Sequence, residues 1–170
     1  MDKTTPSRPF LAVVGTGYWG KNLVRTFDNL GVLLSLCDTD PARLGALRTT
    51  SEVKRCCRVD DCPKDPGISA VAIAAPAVSH LELVRSSLAA GKDVFVEKPL
   101  ALTVSDGQAL VKLAGDAKRI LMVGHILRYH PAVRRLKELL DAGDLGKVEY
   151  VYSNRLSIGR LRIEENILWS

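Results

Sequence analysis

A lysine stands in the tripeptide Glu97-Lys98-Pro99, directly after the apolar run Asp93–Val96. A lysine leaving a buried strand can move protons, because burial and neighbouring charge readily change the ammonium group's hold on its proton. Glu97 either pairs with it or positions it. The plainer account is a strand-end ion pair followed by a turn proline. A second chemical signal lies near the start of the chain. Gly15, Gly17 and Gly20 close the apolar run Phe10–Val14 with the spacing G-x-G-x-x-G. The first glycine permits a sharp turn, the second a close approach of a pyrophosphate, the third close packing of the next helix on the strand. The N-terminus of that helix offers N–H groups and partial positive charge to phosphates. Tyr18 and Trp19 belong to the same loop. A third signal is Asp38, eighteen residues beyond Gly20 and at the end of the run Val32–Cys37. A carboxylate there accepts from the ribose hydroxyls of a dinucleotide and repels a 2′-phosphate, which favours NAD over NADP. The alternative for Asp38 is a turn residue opening Asp-Thr-Asp-Pro.

These residues need strands that end on one edge. Six apolar runs alternate with helical patterns: Phe10–Val14, Val32–Cys37, Val53–Val59, Ala70–Ala75, Asp93–Val96 and Ile120–Val123. The third is polar and edge-like. The intervening helices are expected over Lys21–Asn29, Pro41–Arg48, Ser79 to Gly91 and Ser105–Lys118. Capping boxes at Ser79/Glu82 and Ser105/Gln108 start the last two. Asp60–Gly67 is turn-rich, with little room for a helix. The fold class is α/β: a Rossmann-type doubly wound parallel sheet with helices on both faces. Ligands of such sheets bind beyond the carboxyl ends of the strands, where Ala75, Pro76, Glu97 and Lys98 also fall. His80 follows Pro76 and either lines the nicotinamide side or is merely a partly exposed helix-start residue. His125 and His130 flank Arg128 in a polar turn, as pocket-edge candidates. After it come a helix from Pro131 to Gly143 and a strand over Val148–Ser153. The dinucleotide-binding domain is expected over 1–125, and the incomplete start of an α+β second domain over 126–170.

Composition narrows the classes. The chain has 170 residues, a formal net charge of +5, 46% hydrophobic and 25% charged residues, as an ordinary globular domain has. Its basic residues are interleaved with acids and no groove-reading or stacking motif accompanies them, so no nucleic-acid partner is expected. No apolar stretch approaches a membrane span, and the polar lead-in before Phe10 lacks a signal-peptide core. Cytoplasmic localisation and reduced thiols are therefore expected for Cys37, Cys56, Cys57 and Cys62. Cys57 and Cys62 find no second pair and no nearby histidine to complete a zinc site, so no metal is expected.

The motifs G-T-G-Y-W-G at 15–20, A-A-P-A-V-S-H at 74–80 and A-A-G-K-D-V-F-V-E-K-P-L at 89–100, in this order, resemble the Gfo/Idh/MocA oxidoreductases. The resemblance covers essentially the whole chain after Arg8. G-H-I-L-R-Y-H-P at 124–131 and the stretch 154–170 are closer to one subgroup, the UDP-N-acetylglucosamine and UDP-N-acetylglucosaminuronate 3-dehydrogenases of surface-polysaccharide synthesis. The resemblance implies hydride transfer from a sugar or nucleotide-sugar carbinol carbon to NAD, with Lys98 at the reacting hydroxyl and a cis Lys98–Pro99 bond. It implies Arg128, Arg160 and Asn166 as candidates facing a nucleotide-sugar, and a homo-oligomer for the full-length family form. Family members run about twice this length, and the subgroup carries an Ala-Pro-His-Asp histidine soon after the Asn-Ile-Leu-Trp-Ser match. The chain is therefore expected to be an N-terminal portion, incomplete for catalysis, with a mobile, aggregation-prone tail. The alternative is a non-catalytic NAD-binding module or truncated gene product.

Overall fold

The computed structural model describes residues 10–154. The chain divides after Gly124 into two compact units. The first holds six parallel strands: β1 (Leu11–Val14), β2 (Leu33–Cys37), β3 (Lys54–Cys56), β4 (Ala70–Ile73), β5 (Asp93–Val96) and β6 (Leu121–Val123). Their order across the sheet is β3-β2-β1-β4-β5-β6. Strand order therefore reverses between β1 and β4, and at such a switch point the loops diverge to opposite faces and leave a crevice. Helices α1 (Gly20–Asn29), α2 (Pro41–Ala46), α3 (His80–Ala89) and α4 (Val104–Asp116) connect them.

The central strand explains the double layer. All four residues of β1 are buried, and successive side chains point to opposite faces. Leu11 and Val13 pack with Leu36, Val24 of α1 and Leu44 of α2. Ala12 and Val14 pack with Ile73, Val84 and Leu88 of α3, and Leu110 of α4. A strand apolar on both faces is stable only under two helical layers. Val14 pairs in register with Cys37 on one side and Ile73 on the other, so β1, β2 and β4 end level with one another.

Several local expectations are corrected. Ser79 is not a cap. It closes a short 3-10 turn, Ala77–Ser79, whose helical backbone keeps its hydroxyl from the next N–H groups, and Glu82 pairs instead with Arg85 at 3.0 Å. The cap of α4 is Thr103 rather than Ser105. Thr103 is extended and its Oγ1 accepts from the Asp106 N–H at 3.1 Å. The turn-rich segment after β3 folds as a 3-10 helix, Val59–Lys64. That turn seats Cys62 against Cys37 and Cys56, within one hydrophobic cluster. Thiol donation from Cys37 lowers the Cys62 pKa more than burial raises it, and the same contact, with burial second, raises that of Cys37.

In the second unit, a 3-10 turn at Ile126–Tyr129 leads into α5 (Pro131–Asp141). Pro131 begins it and the His130 Nδ1 accepts from the Ala132 N–H at 3.2 Å. The strand expected over Val148–Ser153 does not form. These residues are exposed and without regular structure, since a strand exists only through a ladder with a neighbour. Tail behaviour beyond Asn154 lies outside the described residues.

Exchanging the capping residues discriminates these findings. Thr103→Ala is expected to cost about 1 kcal/mol in urea unfolding, and Ser79→Ala less than about 0.5 kcal/mol.

Candidate functional site

The glycine loop is held by its own backbone. Gly15 has φ +88°, and a Cβ there would lie 2.6 Å from the Ala74 carbonyl carbon and the Ala75 nitrogen. A Cβ on Gly20 would lie 2.0 Å from the Gly15 carbonyl oxygen. No side chain can enter either contact, so β1, the start of α1 and the end of β4 converge on bare backbone. Gly17 differs. A Cβ there would meet only the Arg43 guanidinium, at 3.9 Å, so the outer side of the loop is open. The first turn of α1 carries no acidic residue, which leaves its positive end uncompensated for an anion.

Asp38 is 4% exposed at the end of β2. Its Oδ2 accepts from the Thr16 N–H at 2.7 Å and from the Thr16 hydroxyl at 2.8 Å. Its Oδ1 accepts from the Asp40 N–H at 3.0 Å, and Arg43 stands 3.9 Å away. Burial raises its pKa, but the N–H groups of Asp40 and Thr16, the Thr16 hydroxyl and Arg43 together outweigh burial and bring it below the ordinary value. The carboxylate thus locks the glycine loop to the end of β2. Thr16 and Arg43 were missed by the motif reading. The signal for Thr16 was a hydroxyl between two motif glycines; Arg43 is placed only by the fold of α2.

The lysine segment joins the same edge. Trp19 Nε1 donates to Glu97 Oε1 at 2.6 Å, linking the glycine loop to the residue before Lys98. A Cβ on Gly124 would meet the Glu97 carboxylate at 3.0 Å, so β6 ends against it as well. The Lys98–Pro99 peptide bond is cis, and the Lys98 side chain is exposed. Glu97 itself is tied to the glycine loop. Tyr18 is 79% exposed above the loop. His80 is not the partly exposed helix-start residue of the plainer account. It is 1% exposed, with Nδ1 2.6 Å from the Pro99 carbonyl oxygen and Nε2 2.9 Å from that of Ala75. The ring is enclosed by protein. It bridges the Ala75-Pro76 turn to the Lys98-Pro99 turn, the nitrogen that carries hydrogen donating to its carbonyl.

Gly15, Thr16, Gly17, Trp19, Gly20, Asp38, Ala75, His80, Glu97 and Lys98 are thus gathered at one edge of the first unit. Arg128, His125 and His130 are exposed in the second unit; Arg160 and Asn166 lie outside the described residues. The open Gly17 backbone, the uncompensated α1 terminus and the acceptor at Asp38 fit the pyrophosphate and ribose of a dinucleotide.

Comparison with known proteins agrees. Residues 11–125 match the family described as oxidoreductase family, NAD-binding Rossmann fold. The chain belongs to this Gfo/Idh/MocA family. It is 32% identical over 146 residues to the NAD(+)-dependent scyllo-inositol 2-dehydrogenase of Bacillus subtilis, covering 82% of this chain and 42% of that protein. It is 32% identical over 146 residues to the 2,7-anhydro-N-acetylneuraminate hydratase of Mediterraneibacter gnavus, covering 85% and 38%. Among solved structures, scyllo-inositol dehydrogenase from Lactobacillus casei, with bound NAD(H) and scyllo-inositol, superposes with a TM-score of 0.74 at 26% identity, covering 81% of this chain and 42% of that one. The chain spans about two fifths of the length of these relatives. These relatives are named for an inositol or an anhydro-sialic acid, not for the UDP-sugars that the subgroup resemblance implied. No described helix is long and apolar enough to cross a membrane.

Asp38→Asn tests the lock. The variant is expected to lose about 1–3 kcal/mol at pH 7, because the Thr16 N–H and hydroxyl lose a charged acceptor. A carboxylate whose folded pKa is depressed stabilises fully above its unfolded value and loses this as pH falls through the folded one. The native chain should therefore weaken below about pH 4, and urea melts of Asp38→Asn should lack that component.

Proposed function

We propose that this chain is the NAD-binding portion of an oxidoreductase acting on a ring secondary alcohol of a cyclitol or sugar. The observation that carries the reading is the Trp19–Glu97 hydrogen bond of 2.6 Å. It joins the loop suited to a dinucleotide to the segment that presents Lys98, so the two chemistries share one edge.

In this reading the backbone of Gly15–Gly20 and the start of α1 receive the diphosphate, and Gly17 leaves room for it. Asp38, held by Thr16, accepts from the adenosine ribose hydroxyls and repels a 2′-phosphate. NAD, when bound, accepts the hydride from the carbinol carbon. Lys98 stands at the reacting hydroxyl and takes part in moving its proton. His80 and Glu97 hold the turns on either side of Lys98 and touch no substrate. Tyr18, Ala75 and Pro76 border the cofactor. Arg128, Arg160 and Asn166 remain candidates for a substrate's anionic group, which a guanidinium pairs well.

The substrate class favoured is a cyclitol, because the relatives carrying the alignment include inositol dehydrogenases. A second reading, C3 of a UDP-N-acetylhexosamine or its uronate, is favoured by the stretches 124–131 and 154–170.

Quenching of tryptophan fluorescence, with Trp169→Phe isolating Trp19, gives the cofactor test. NAD is expected to bind at least tenfold tighter than NADP. Asp38→Ser should weaken NAD by about 10–100-fold and narrow the gap, since Arg43 would then face the 2′-phosphate. Equal affinities in the native chain would remove the ribose role. NADH formation, followed by absorbance with scyllo-inositol, myo-inositol or UDP-N-acetylglucosamine, separates the substrates. Lys98→Met should leave NAD affinity unchanged and lower any turnover by about 10²–10⁴-fold. NAD binding without turnover on any of these alcohols would favour the non-catalytic module.

A further inference from the structure

At the ends of β2 and β3, three cysteines meet that the mechanism does not use. Cys37 ends β2 and Cys56 ends β3, and they are register partners across the parallel pair. Cys62 is laid over them by the 3-10 turn Val59–Lys64. The sulfur atoms of all three lie within 4.8 Å of one another, with Cys56 and Cys62 Sγ 3.4 Å apart. Cys37 and Cys62 are buried and Cys56 is half-buried, while the neighbouring Cys57 is exposed.

We propose that Cys37, Cys56 and Cys62 form a three-sulfur site for a thiophilic d10 cation of the zinc(II), cadmium(II) or copper(I) class. A metal bonded to thiolates at about 2.3 Å sets its sulfurs roughly 3.8–4.0 Å apart in tetrahedral or trigonal geometry. The Cys56–Cys62 separation of 3.4 Å is a few tenths of an ångström short of this, and all three sulfurs stay within 4.8 Å of one another, so the ligands are already gathered. An all-sulfur donor set selects soft cations over magnesium or calcium. The backbone has already done the assembly: two ligands come from paired strands and the third from a turn packed on the same face. Ser35 Oγ, buried on β2 and 3.8 Å from Cys62 Sγ, is placed to donate to a ligating sulfur, as outer partners of metal sites do. Cys56, at the sheet edge, supplies the way in. Reduced thiols serving only as small apolar core residues are the competing account. The two accounts differ in what a metal titration reads.

Binding displaces thiol protons to the buffer and involves no oxidation. A bound ion would tie β2, the edge strand β3 and the turn together, immediately behind Asp38, whose N–H donates to the Cys56 carbonyl at 3.3 Å. The metal is thus a structural clip, independent of the cofactor reading.

The test uses the full 170-residue chain without a tag, reduced by a phosphine under nitrogen, freed of metal by a chelator and titrated with cadmium(II). One equivalent should produce a saturable thiolate-to-cadmium charge-transfer band. At a hundredfold excess over Kd the melting temperature should rise by about 5–10 °C. Iodoacetamide labelling read by mass spectrometry should modify Cys57 with or without metal, and Cys56 only in the metal-free chain, since Cys37 and Cys62 are already buried. Zinc(II) should compete the band away. Cys56→Ser and Cys62→Ser should each weaken binding by about 100-fold or more, and Cys57→Ser should leave it unchanged. Circular dichroism of each metal-free variant separates lost binding from lost folding, and the labelling of the native chain stands without any variant. Absence of the band, Cys56 labelling unchanged by metal, binding that follows Cys57, or a Cys56–Cys62 disulfide as the sole product of handling would overturn the proposal.

Discussion

The first unit depends on a contact in which nothing but backbone fits. Gly20 sits so close to Gly15 that a methyl group would lie 2.0 Å from a carbonyl oxygen, and Gly15 in turn crowds the Ala74–Ala75 peptide. This approach fixes where α1 begins relative to β1 and β4. Because β1 is the middle of the sheet, it also fixes where the other strand ends lie. The register of Val14 with Cys37 and Ile73 carries the constraint sideways, to Asp38 after β2 and to the turn after β4. The chemistry at the edge is downstream of that packing. Asp38, Glu97 and His80 are tie points that convert level strand ends into a fixed constellation.

The tie points divide the work. Asp38 joins the first two strand ends through Thr16. Glu97 joins the first and fifth through Trp19. His80 stands between the fourth and fifth, a ring nitrogen against the carbonyl oxygen of each turn, with a neutral ring donating to one of them. Each is a polar group that burial alone would penalise by about 1–3 kcal/mol if left unpaired, and among the described residues no buried side-chain nitrogen or oxygen lacks a partner. Lys98 is supported on both sides without being itself enclosed in the first unit.

Much of this was legible in the residues, and what was not has identifiable causes. The sheet was legible because a strand buried on both faces must be continuously apolar, and Leu11–Val14, Ala70–Ile73 and Asp93–Val96 nearly are. The glycine loop and Asp38 were legible because their spacing follows from backbone geometry. The cap of α4 was misplaced by two residues, since Thr103 and Ser105 are both hydroxyl-bearing and only the backbone angle at Thr103 decides between them. Val148–Ser153 reads as a strand by composition, yet a strand is a relation between segments and composition names only one of them. The burial of His80 was hidden because its partners are carbonyl groups, which leave no trace in residue type. Likewise the meeting of Cys37, Cys56 and Cys62 follows from a cross-strand register and a 3-10 turn. Neither can be counted along the chain.

The Thr16–Asp38 pairing has one more consequence. The loop is already ordered by protein atoms before any ligand reaches it, so its conformational entropy is spent during folding and not at the moment of encounter. Under the proposed function, a dinucleotide would meet a socket that is already formed, and its capture would be governed by diffusion and orientation rather than by the time a loop needs to organise.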